Sequence, residues 1–316
     1  MLSLLIVMTK NGVYVLKKHN RINSYFLFFL LAVILFLAAG CKSVPAAREV
    51  NAIELLDDKS AFYIALPSSA DTKVIERIIK NNVPGISDSN VKLICEKINK
   101  VYCGINRSKN QMEFQSVLEG NIPVNMMSKV LSKKNGWTSK SVKSGENQLE
   151  YKLYNISNDK INLDMAFPSN KIACIGRNVQ DMIVRYDTLV NLPVENNQLD
   201  TLIDEELTEY LTGSDNEIRF FANKPQSFLT ILTGVKLDLK LKSVKGAFIQ
   251  DVDHENQYIL NLHFDFLNEK FLKAGKTLLT LAFGLTNSQS IVIGTDILEI
   301  NGIKLDKEQL YKLLVL

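Results

Sequence analysis

Histidine is nearly missing from this chain: there are three in 316 residues, and only His254 and His263 lie beyond the first forty. Cysteine stands at four, no two of them spaced as C-x-x-C, and there is no H-E-x-x-H pair and no glycine-rich phosphate loop. Nucleophilic, metal-assisted and phosphate-binding chemistries each need such clusters. The sequence therefore gives no cofactor and no metal site, and it reads as non-enzymatic. An excess of charge is missing as well. Lys10, Lys17, Lys18 and Arg21 all precede residue 40, where no acid occurs; without them the 37 basic residues fall to 33 against 34 acidic ones. A near-neutral body has no electrostatic footprint for nucleic acid.

Some fragments imitate reactive sites. Ser89-x-x-Lys92, Ser214-Asp215-Asn216 and Lys143-Ser144-Gly145 match the pieces of penicillin-recognising serine enzymes, but in the wrong order along the chain. Asp251, Asp253 and Glu255 beside His254 could offer oxygen ligands to a divalent cation. The matching turn of the first half, "NRSKN", offers none, so the segment reads as a solvated hairpin turn. Cys95, Cys103 and Cys174 read as apolar core thiols, with one disulfide as the alternative.

The chain does contain one long apolar run, "FLFFLLAVILFLAAGCKS", Phe26 to Ser43. A basic segment, an apolar segment from Tyr25 to Leu37 and the small residues Ala38-Ala39-Gly40 form the three parts of a secretory signal. The run is shorter than the roughly 20 residues of a bilayer span; an uncleaved anchor helix is the alternative. Residues 1–7, "MLSLLIV", do not fit a basic segment, and a start at Met8 or later suits the pattern better. The ending L-A-A-G-C resembles the bacterial lipobox, with Ala38 where Leu is preferred and Leu37 one place back, as in the looser lipoboxes of spirochaetes. The resemblance implies that residues 1–40 leave, that Cys41 is acylated on sulfur as the new amino terminus, and that membrane lipid is its partner. Two or more acyl chains hold a protein firmly. Lys42 replaces the Asp that favours inner-membrane retention in enterobacteria, which points to the periplasmic face of the outer membrane.

After a tether over 41–58, the chain repeats an order of elements. Residues 59–199 form a first α+β half; 200–316 form a connector helix and a second half. "AFYIALPSSADTKVIERIIKNN", Ala61 to Asn82, reads as strand, turn and helix, and Ile218 to Gly234 repeats it. Val101–Gly120 and Ala247–Phe266 both read as strand hairpins at a constant offset of 146 residues. At that offset Val91, Leu93 and Cys95 fall on Leu237, Leu239 and Leu241. The second set alternates from Val235 to Leu241 as a strand, and the repeat assigns a strand to Val91–Asn99 too, although Val91, Ile94, Cys95 and Ile98 also suit a helix. Asn301-Gly302 reads as a hairpin turn, and Asp306 as the cap of a last helix. The expected fold is α+β, two similar halves, each a mostly antiparallel sheet with helices packed on one face.

The remaining signal is apolar surface. The helix Lys270 to Leu285 carries Phe271, Leu272, Leu278, Leu279, Leu281, Phe283 and Leu285 over more of its circumference than one sheet contact uses. Met126, Met127 and Trp137 mark its first-half counterpart. Both read as core helices or, alternatively, as lipid-facing ones, with any cavity expected in the second half. Lipobox, near-neutral body and amphipathic helices together resemble treponemal outer-membrane lipoproteins that lie on the inner leaflet. That implies a lipid-anchored envelope lipoprotein binding membrane or lipid through such helices. The alternative is a periplasm-facing scaffold that binds an envelope protein partner.

Overall fold

A computed structural model describes residues 6–9, 12–15 and 48–316, apart from 84, 109–110, 145–148, 158–161, 193–202, 234–235, 285–288 and 315–316. Cys41, the apolar run and most of the tether lie outside the described residues. The chain divides into two units, Met1–Ala47 and Arg48–Leu316. In the first, β1 (Ile6–Thr9) and β2 (Gly12–Val15) pair as an antiparallel hairpin.

The second unit begins with a 3-10 turn at Ala52–Leu55. Its first half continues through β3 (Phe62–Pro67), α1 (Thr72–Asn82), α2 (Asp88–Cys95), β4 (Ile98–Ser108), β5 (Gln111–Gly120) and α3 (Val124–Val130). It is completed by β6 (Thr138–Ser144), β7 (Leu149–Ser157), β8 (Asn162–Ala166), β9 (Ile172–Gly176), α4 (Val179–Val190) and the connector α5 (Glu205–Thr212). The second half runs β10 (Ile218–Ala222), α6 (Pro225–Thr233), β11 (Leu241–Gln250), β12 (Gln257–Phe266), α7 (Glu269–Ala282), β13 (Ser290–Ile293), β14 (Ile297–Asp306) and α8 (Lys307–Leu314).

Among the described residues, the twelve strands of this unit form one antiparallel sheet, ordered β13-β14-β12-β11-β10-β3-β4-β5-β9-β8-β7-β6. The fold is α+β, and the halves share a sheet because β10 pairs with β3, Phe220 opposite Ile64. Strand alternation builds a core on each face. Helices α1, α2, α3, α6, α7 and α8 cover one face. The 3-10 turn, α4 and α5 cover the other face, with Tyr63, Tyr102, Val117 and Cys174 beneath them. The first half is thus covered on both faces. On the uncovered face of the second half, polar side chains such as His263 are half-buried, its Nδ1 lying 3.3 Å from Glu299 Oε1.

Both windows at the 146-residue offset are antiparallel hairpins, β4–β5 and β11–β12. Three local expectations are corrected. Asp88–Cys95 is helix: Ser87 caps it, and Val91, Ile94 and Cys95 are buried at spacings of three and four, so helical periodicity prevails over the repeat. In the second half the strand starts only at Leu241, after an irregular segment that buries Leu239. The β13–β14 turn lies at Gly294–Asp296, whereas Asn301-Gly302 sits inside β14 at an irregularity in its pairing with β12. There Gly302 takes φ +84°, and its N–H donates to Asn261 Oδ1 (3.0 Å). At the start of α8 the Asp306 N–H donates to Gln309 Oε1 (2.9 Å).

Candidate functional site

Alternate residues of five neighbouring strands point to the face beneath α1: Ile64 and Leu66, Val101 and Ile105, Phe114 and Leu118, Leu163 and Met165, and Ile175. Helix α1 faces them with Ile75, Ile78 and Ile79, and between helix and sheet lies a cavity of about 180 Å³. Apolar cavities of about 150 Å³ stay dry and take small hydrocarbons. The polar side chains in the wall are those of Asn81 and Ser116. Ser116 is already satisfied, its hydroxyl donating to the Tyr102 carbonyl (3.1 Å). Cys103 also lines the space. Burial pushes its thiol up to about 12 against the opposing hydrogen bond with Ser116, so it stays uncharged.

This cavity lies over first-half strands, with Leu314 of the second half at its edge; the sequence leads us to look for such a space in the second half. Helix α3 has 7 residues and α7 has 14, so α3 spans about 10 Å and its second-half counterpart about 21 Å. The Ser128 hydroxyl of α3 bonds that of Tyr154 on β7 (2.9 Å), which holds α3 toward that end of the sheet. Helix α7 lies directly on its strands. A Cβ on Gly275 would stand 2.3 Å from the Phe266 ring, so only glycine permits this approach.

The side chains read as lipid-facing separate into three groups. Leu272, Leu279, Met127 and Trp137 are buried in the core. Phe271, Phe283 and Met126 are half-buried and packed on the same core. Only Leu278, at 43% exposure, points outward, joined by Leu281 of the same helix at 79%. Ile291, Val292 and Ile293 of β13, the terminal strand of the sheet, are exposed too. Among the described residues no helix is long and apolar enough to cross a membrane, and no cluster could hold a metal ion. Asp251 is occupied in its own turn, accepting from Asp253 N–H (3.0 Å) and pairing with His254. The three described cysteines are free thiols; Cys103 and Cys174 face opposite sides of the sheet.

Helix α1 is fastened by a polar cluster absent from the sequence reading. Asp71 caps it, accepting from Lys73 N–H (2.9 Å) through Oδ1. Its Oδ2 accepts from the Tyr258 hydroxyl (2.5 Å), the Tyr311 hydroxyl (3.1 Å) and Lys307 Nζ (3.1 Å). Burial works to raise this carboxyl, but those hydrogen bonds and the Lys307 charge outweigh it and hold it below its ordinary value. The cluster joins the amino end of α1 to β12 and α8, and Leu314 of α8 lines the cavity.

The model of a family described as outer membrane-associated lipoprotein TP0453 matches residues 47–311. Crystal form I of TP0453 superposes with a TM-score of 0.61 at 19% identity, over 84% of this chain and 97% of that one. Crystal form III gives 0.59 at 19% identity, over 84% and 98%. Among curated proteins none matches.

Proposed function

Because the chain belongs to the family of the outer membrane-associated lipoprotein TP0453, we propose that its body is a non-catalytic lipid-binding module, tethered through acylated Cys41 at the periplasmic face of the outer membrane. The observation that carries the reading is the apolar cavity of about 180 Å³ between α1 and the sheet. An acyl chain placed there removes its methylenes from water at about 0.8 kcal/mol each, and the wall asks for no hydrogen bond in return. Membrane contact through the exposed leucines of α7 is the complementary part of the reading, since Leu278 and Leu281 lie on a tethered body.

The test uses residues 48–316, which hold the whole twelve-stranded sheet and both cores as one compact unit. Titration with cis-parinaric acid should give saturable fluorescence. Cys103→Phe, which fills the cavity from β4, should reduce it while thermal unfolding stays cooperative. No fluorescence from the wild-type body would overturn the proposal. A second reading, capture of an envelope protein strand, rests on the exposed apolar residues of β13. It predicts stable co-purification that Ile291→Lys abolishes.

A further inference from the structure

A second hollow borders the same helices. Lys73, Glu76, Arg77 and Lys80 of α1 face Asp306, Lys307, Glu308 and Tyr311 across a cleft of about 600 Å³. Along α8, residues 307, 311 and 314 share one face. The first two border this cleft and Leu314 borders the apolar cavity, so a single helix face runs from one hollow to the other in about 10 Å. A ligand with its chain in the cavity would bring its polar end to the cleft.

The charges of the cleft state what that end should be. Arg77 makes a two-pronged contact with Glu308 (3.1 and 2.8 Å) and stacks on the Tyr311 ring, 4.2 Å from its centre. Lys307 is held by Asp71, and Lys80 by Asp88 at 2.8 Å. Lys73, Glu76 and Asp306 form no ion pair among the described residues. The uncommitted charges are therefore of both signs. An anionic head group would meet the two carboxylates and a cationic one would meet Lys73, whereas a zwitterion answers both.

Building on the cavity reading above, we infer that the cleft is a head-group subsite and that the preferred ligand is a single-chain amphiphile with a zwitterionic phosphate–ammonium head. Lys73 and Arg77 take the phosphate; Glu76 and Asp306 take the ammonium. The Arg77–Glu308 pair bridges α1 and α8 and opens to admit the phosphate, its exposed position making the exchange inexpensive.

Four amphiphiles of one chain length, titrated into residues 48–316 below their micellar concentrations, test this: an alkyl phosphocholine, a fatty acid, an alkylammonium and a fatty alcohol. The phosphocholine should bind about tenfold tighter than the alcohol, as charge-assisted contacts imply, and tighter than either singly charged ligand. Lys73→Gln and Glu76→Gln should each erase that preference and leave alcohol binding unchanged. Phosphocholine without a chain should fail to displace the bound amphiphile. Equal affinity for alcohol and phosphocholine, or displacement by the free head group, overturns the head-group assignment while the cavity stands. No binding of any of the four overturns the cavity reading itself.

Discussion

Asp71 carries the most consequence for its size. Its carboxyl lies below its ordinary value in the folded chain, so the stability it contributes is fully present above the unfolded value of about 3.9 and is lost as pH falls through the folded one. Asp71→Asn should cost about 1–3 kcal/mol at neutral pH, since two tyrosine hydroxyls and Lys307 lose a charged acceptor. The gap from wild type should narrow below about pH 4; urea unfolding at pH 7 and pH 3 measures both. Gly275→Ala sets helix propensity against sterics. Alanine gains up to about 1 kcal/mol in a helix, but its Cβ would run into Phe266. Net destabilisation of about 1–3 kcal/mol is expected from overpacking, readable as a lower denaturation midpoint.

Elements show why part of the architecture was legible and part was not. The hairpins were visible because Tyr258, Leu260, Leu262, Phe264 and Phe266 alternate without a break and are all buried. Helix α2 follows the local period of Val91, Ile94 and Cys95 and not the strand that the 146-residue offset implies. Trp137 and Met127 looked available to lipid because a large apolar side chain carries the same sequence signal whether core or membrane receives it. The surface of α7 now separates the two roles. Leu281→Glu should weaken liposome flotation roughly tenfold, the worth of one leucine contact, with stability changed by no more than about 0.5 kcal/mol. Trp137→Ala should leave flotation of the folded fraction intact and cost about 3–5 kcal/mol.

At the scale of the whole molecule, one sheet carries both halves, and an apolar space lies above the strands of the first. That space had no sequence signature: its wall comes from five strands and two helices spread from Ile64 to Leu314, each with an ordinary core pattern. Helix α3 above that half has 7 residues against the 14 of α7, a difference of length and not of composition. Lipid anchoring was legible in the lipobox and the outer membrane in Lys42 beside it, and that location sets the chemistry that such a space meets. The most direct test is to add stearate carrying a nitroxide near its methyl end to the isotope-labelled body and record methyl spectra. The account predicts broadening at Ile75, Ile79, Leu118 and Met165, with Leu281 and Ile291 unaffected. Broadening confined to Leu278, Leu281 and Ile291, with the cavity methyls untouched, would contradict it.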